Sequence, residues 1–318
     1  GGFSNFIISF VLLSNNGKKK TCSPSKNKDL FYATIGGMGL TGIILEVKFS
    51  LLKIETNLIN QKIIPTKDLK ETMKVFSENS KMKYSVAWID CLARKKKLGR
   101  SIIFLGEHST SEQLKKSSSN HAYSKSDGNL LSIPFQMPSI ILNNITIRIF
   151  NFFYYYINKK KIPSIVGIDK FFYPLDKIRN WNLIYGKKGF LQYQFVIPLN
   201  KSYEGITEIL QILERHKTYP FLTVLKQFKR KDIGILSFPI KGYTLALDFP
   251  ITSKIYEVLD KLDDVVIKYK GRIYLTKDSR IPSSKFHLMY KKDIKKFLNN
   301  NFMKNRKFNS HQSERLGI

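Results

Sequence analysis

Short stretches in which apolar and polar residues change places at every step constrain this chain more than any other feature. In residues 45–51, Leu45, Val47, Phe49 and Leu51 fall on one side and Glu46, Lys48 and Ser50 on the other. A period of two is met only by a strand, and it predicts one buried face. Residues 190–195, 222–228 and 244–249 repeat the pattern, while strands are expected at 84–90 and 100–106 on β-rich composition. Residues 6–13 followed by Ser14-Asn15-Asn16-Gly17 read as a β-hairpin. Between the strands lie helical patterns at 29–34, 69–76, 202–217 and 254–263; in the third, Ile206, Leu210 and Leu213 recur at helical spacing. The last thirty residues read as helical and then irregular, and the Ser- and Lys-rich residues 109–128 as a mobile loop. Strands and helices mix without a regular βαβα repeat, so the expected class is α+β.

Composition narrows the function. A chain of 318 residues with 42% hydrophobic and 13% aromatic residues builds a true core and is no disordered scaffold. The 54 basic against 24 acidic residues give +30, but 44 of the bases are Lys in a chain also rich in Ile and Asn. That bias follows from an AT-rich genome or from an attraction to anionic partners. No nucleic-acid motif with clustered Arg and aromatics occurs, so nucleic acid is not an expected partner. Cys22 and Cys91 make neither a disulfide framework nor a zinc cluster. The chain opens on Gly1-Gly2 without Met or a signal peptide, which suggests a fragment or a processed chain.

Four constellations carry possible chemistry. Residues 37–42 spell G-x-G-x-x-G, but a helix precedes and a strand follows, the reverse of a dinucleotide fold. The glycines therefore serve either a close approach to a ligand or a tight turn. The alternating strands put Gln192 with Gln194, Lys226 with Phe228, and Thr244 with Ala246 and Asp248. Such faces are either ordinary solvated surface or a set of directional partners for a polyhydroxylated ligand. Residues 274–280 gather Tyr274, Lys277, Asp278 and Arg280, a structural charge cluster or a lysine tuned by burial for proton transfer. The five histidines lack metal-ligand spacing, and His287 reads as a packed helix residue. Residues 139–161 combine dense aromatics with Lys159-Lys160-Lys161, while Asn143, Asn144, Arg148 and Asn151 forbid a transmembrane helix. They form a lid, or an interfacial segment touching lipid through Phe152, Phe153 and Tyr155.

The run of residues 30–43 resembles the glycine segment of the decaprenylphosphoryl-β-D-ribose 2-oxidases, flavoproteins of the vanillyl-alcohol-oxidase-like superfamily. The similarity continues in order through residues 87–90, 98–100, 172–176, 189–198, 236–240, 248–251, 277–280 and 286–287, and is weakest over 109–170. It implies a split FAD-binding (PCMH-type) domain at 1–54 and 272–318, enclosing a substrate domain at 55–271 built on an antiparallel sheet with flanking helices. It also implies non-covalent FAD and oxidation of the 2-hydroxyl of a polyprenylphosphoryl ribose to a ketone. A short-chain-dehydrogenase-type reductase would then complete the epimerisation to arabinose for the bacterial cell envelope. By matching motif, Lys277 is the expected catalytic lysine with Tyr274 beside it. Gln192, Gln194, Lys226, Phe228, Asp248 and Trp88 would line the substrate, and Gly36, Gly37, Met38, Gly39, Thr41, Gly42 and Ile43 the cofactor. Mycobacterial members carry cysteine where Ala246 stands and asparagine where Thr244 stands, and the family's pyrophosphate loop is expected before the first residue. The implied location is the cytoplasm or periplasm, at the membrane periphery. The rival readings are an aldonolactone or alditol oxidase of the same superfamily and a non-catalytic basic module docking on a membrane.

Overall fold

The computed structural model describes residues 2–116, 131–138, 141–303 and 306–318. The expected loop at 109–128 falls largely outside them, and its described beginning is partly helical. In chain order the elements are β1 (Ile7–Leu13), β2 (Lys19–Cys22), α1 (Lys28–Thr34), β3 (Ile43–Phe49), β4 (Leu58–Thr66), α2 (Leu69–Glu78), β5 (Tyr84–Ile89) and β6 (Ser101–His108). Then come α3 (Ser111–Lys116), β7 (Leu131–Ser132), α4 (Asn144–Lys159), β8 (Ser164–Gly167), α5 (Ile168–Phe172), β9 (Ile178–Arg179), β10 (Phe190–Pro198) and α6 (Ser202–Arg215). The chain ends with β11 (Leu222–Phe228), β12 (Gly242–Pro250), α7 (Ile255–Lys268), β13 (Arg272–Ile273), α8 (Ser283–Leu298) and α9 (His311–Leu316).

Eight strands form one sheet in the order β13-β10-β12-β11-β5-β6-β4-β8, every neighbouring pair antiparallel. The α+β expectation therefore holds. One face of this sheet is the core. Tyr193, Phe195, Leu225, Leu245, Leu247 and Phe249 pack under Phe76 of α2, Ile206 and Leu210 of α6, and Leu259 and Leu262 of α7. The amphipathic spacing of those helices is what supplies the cover. Residues 272–318 share both the sheet and this core, because Ile273 pairs with Phe195 and Phe286 and Tyr290 of α8 join the same cluster. His287 bonds the Leu316 carbonyl at 3.1 Å, the packed helix residue the pattern suggested.

A second sheet, ordered β2-β1-β3, carries the expected hairpin. Its third strand departs from expectation. β3 is exposed along its whole length, Leu45, Val47 and Phe49 included, so neither face is buried. Alternation sorts side chains onto two faces and says nothing of what covers either one. Among the described residues only the α1 side of this sheet is closed, by Phe10, Leu12, Leu30 and Phe31.

Candidate active site

The opposite face of the eight-stranded sheet bears the polar residues. Register places Gln192 opposite Asp248, Gln194 opposite Ala246, and Lys226 opposite Thr244. The faces read from alternation thus become one contiguous surface. Gln192 Nε2 donates to Asp248 Oδ1 at 2.6 Å, and Gln194 Nε2 to Thr244 Oγ1 at 3.1 Å. Both amides are fixed by neighbours, and each keeps its carbonyl oxygen for another donor. Asp248 is buried, which pushes its carboxyl up; the bond from Gln192 and the charge of Lys277 pull the other way. Lys226 stays accessible, yet the protein around its ammonium desolvates it enough to lower its pKa.

The segment after β13 closes this surface. Tyr274 N donates to the Gln194 carbonyl at 2.8 Å, and its ring stacks on Phe238 at 4.5 Å. Phe238 in turn meets Phe228 edge-on at 5.8 Å. Lys277, Asp278, Ser279 and Arg280 line a narrow cleft with Gln192 and Gln194. Lys277 is exposed; it stands at the sheet margin, in the electrostatic reach of Asp248.

Sequence reasoning offered a structural charge cluster or a tuned lysine for residues 274–280, and named no partner of Asp278 or Arg280 outside that run. Arg280 Nη2 reaches both oxygens of Asp263 at 2.7 Å, a carboxylate wholly buried on α7 that also accepts from the Tyr193 hydroxyl at 3.0 Å. Burial raises the Asp263 carboxyl and the arginine opposes it; burial and the nearby Asp263 charge raise the Tyr193 phenol. Asp278 accepts from Arg315 Nη2 at 2.9 Å and from the Arg280 and Ile281 amides at 3.2 and 3.0 Å. Lys277 therefore rides on a loop tied to α7 and α9. Tyr185 was also missed: it is fully buried, stacks on Phe190 at 4.4 Å, and is pushed up by burial and by Asp248.

The glycine turn is a packing device first. A side chain on Gly37 would meet the Ala33 carbonyl at 2.1 Å, and Gly42 would meet the Leu13 carbonyl at 2.3 Å. Met38 and Gly39 have φ of 55° and 77°, the left-handed conformation of a tight turn. Thr41 is buried, bonding Thr34 at 2.9 Å, whereas Gly39 and Ile43 are exposed. The turn borders the aromatic stack: Gly36 abuts Ser237, the residue before Phe238. Trp88 lies on the same sheet face but is 5% exposed, its ring 4.7 Å from Tyr154 of α4, so it offers little surface to a ligand.

No protein-family model matches the chain. It is 35% identical over 293 residues to the decaprenylphosphoryl-beta-D-ribose oxidase of Mycolicibacterium smegmatis, covering 91% of this chain and 64% of that one. It is 25% identical over 308 residues to an uncharacterized protein in the mprA 5′ region of Streptomyces coelicolor, covering 91% of this chain and 80% of that relative. The chain thus spans a little under two thirds of the first relative's length. That similarity supports the resemblance carried by the motifs.

Proposed function

We propose that this chain is part of an FAD-dependent oxidase of the decaprenylphosphoryl-ribose oxidase family, oxidising the 2-hydroxyl of a polyprenylphosphoryl ribose. The observation that carries the reading is the pairing of Gln192 with Asp248 beside Lys277, in a chain 35% identical to such an oxidase. The residues fit the cofactor on the side of its ring. Lys226 is a cation with no carboxylate partner among the described residues, at the margin of an aromatic and amide-lined surface, and suits a ring that gains negative charge. When bound, FAD would accept the hydride from the carbon bearing the alcohol.

The chain's own residues would do the rest. The hydroxyl proton would pass to Lys277 Nζ at the sheet margin, with the Asp248 carboxyl in its electrostatic reach. Gln192 and Gln194, each held by a neighbour, present carbonyl oxygens to the other sugar hydroxyls. The Tyr274–Phe238–Phe228 stack excludes water from one side. The glycine turn, with residues 1–54 and 272–318, would contribute the cofactor domain, and a short-chain-dehydrogenase-type reductase would consume the keto sugar.

The test is Lys277→Ala in the flavin-loaded protein, assayed with a short-chain prenylphosphoryl ribose. Turnover should fall roughly 100-fold or more while flavin absorbance is retained. Near-normal turnover would remove Lys277 from the reaction. Equal turnover of free alditols by the unmodified protein would move the chain to the soluble-substrate oxidases.

A further inference from the structure

We infer that α4 docks the molecule on an anionic membrane surface through the side it turns to solvent. The inference rests on the helix itself and not on the proposed reaction.

At 100° per residue, Ile147, Asn151, Tyr155 and Asn158 share one side of α4, and that side is buried. It is anchored by polar contacts. Asn151 Nδ2 donates to Asp90 Oδ1 at 2.7 Å, and the Tyr155 hydroxyl donates to the Thr66 carbonyl at 3.3 Å. The Arg100 guanidinium lies 4.7 Å from the centre of the Tyr155 ring. Asn143 and Thr146 close the N-terminus as a capping box, so the orientation is fixed at both end and side. The opposite side carries Ile145, Ile149, Phe152, Phe153, Tyr156 and Ile157, all exposed; Ile145 is 71% and Ile157 58% accessible. The helix is amphipathic in the inverted sense, with asparagines inward and aliphatic and aromatic groups outward. Water does not favour that arrangement, and a contiguous apolar face of this kind marks an interaction surface.

Charge selects the partner. Between Asp127 and Asp169 the sequence has no acidic residue, and its cations are Arg148, Lys159, Lys160 and Lys161. Arg148 and Lys159 lie along one border of the apolar face, and the other two continue from its C-terminal end. A two-fold contact between copies would press these cations together with no carboxylate on the face to neutralise them. Anionic headgroups neutralise them while the apolar side chains enter the acyl boundary. No helix among the described residues is long and apolar enough to cross a membrane, so α4 would lie in the interface plane. Of the three residues expected to touch lipid, Phe152 and Phe153 do face outward, whereas Tyr155 faces the sheet. The docked side belongs to the sheet face that bears the candidate site: α4 covers Trp88, and Trp88 pairs with Val224, two residues before Lys226.

The experiment is flotation of the purified protein with phosphatidylcholine vesicles, with and without phosphatidylglycerol, alongside measurement of oligomeric mass. The unmodified protein should float with the anionic vesicles and several-fold less with the neutral ones. Ile149→Ser/Phe152→Ser/Phe153→Ser should reduce binding by roughly tenfold or more with unchanged circular dichroism. Lys159→Gln/Lys160→Gln/Lys161→Gln, a second test should the first variant misfold, should abolish the preference for anionic lipid. Failure of the unmodified protein to bind anionic vesicles, or equal binding by both variants, would overturn the inference. A dimer that the serine variant converts to monomer, with vesicle binding unchanged, would overturn it in favour of a second copy.

Discussion

In β12, Tyr243, Leu245, Leu247 and Phe249 alternate with smaller or polar residues, and all four vanish beneath helices. In β3, Leu45, Val47 and Phe49 alternate just as regularly, and all three stay in contact with solvent. What separates the strands is the neighbourhood. β12 lies between β10 and β11 with α6 and α7 above it, whereas β3, among the described residues, pairs only with β1 at the edge of a three-stranded sheet. An alternating pattern is a statement about partition, and burial is a property of the partner that each face finds.

Stability measurements are the most direct way to break this comparison. Leu245→Ala should cost about 2–5 kcal/mol in urea unfolding, since its site is closed on all sides. Val47→Thr and Phe49→Ser should each cost about 1 kcal/mol or less and lower self-association, because their side chains are only partly covered. A cost at Phe49 comparable to that at Leu245 would mean that β3 is covered in solution.

Turning the large sheet over sharpens the contrast, because its polar face hides a carboxyl. Burial raises Asp248, so the folded state holds that proton more tightly than the unfolded chain does. The contribution is intact below the ordinary carboxylate range and is lost as pH rises through the folded pKa. Asp248→Asn should therefore gain stability relative to the unmodified protein as pH rises through that window, with no gain in acid. Parallel pH profiles for the two proteins would exclude the effect.

The smallest expected effect lies at Tyr185, whose buried hydroxyl has no hydrogen-bond partner among the described residues. Tyr185→Phe should be neutral or stabilising by under about 1 kcal/mol, measured as Tm. A clear loss would show that the hydroxyl is satisfied in solution.

Most elements were legible because their periodicity survives in the chain, as in α6 and β10. β4 was not, since Pro65 and the polar run Asn60-Gln61-Lys62 break its apolar pattern. At the site, alternation could say that Gln192 and Gln194 share a face. It could not say that Asp248 lies opposite the first, because register is set by tertiary pairing. The Asp263–Arg280 pair was hidden for a similar reason: a carboxylate inside an amphipathic helix reads as solvated until the partner packed against it is known. The inverted sides of α4 likewise depend on Asp90 and Thr66, far away in sequence.

The tether beneath Lys277 has a consequence for the timing of local motion. Residues 274–281 would ordinarily be a loop free to open on its own, but releasing them means separating Arg280 from a carboxylate that has no access to water. Opening is thereby coupled to loosening of α7 and with it the main core. The hydrogen-bonded amides of this loop, those of Tyr274, Lys277, Asp278 and Ile281, should therefore exchange their hydrogens more slowly than those of an untethered surface loop.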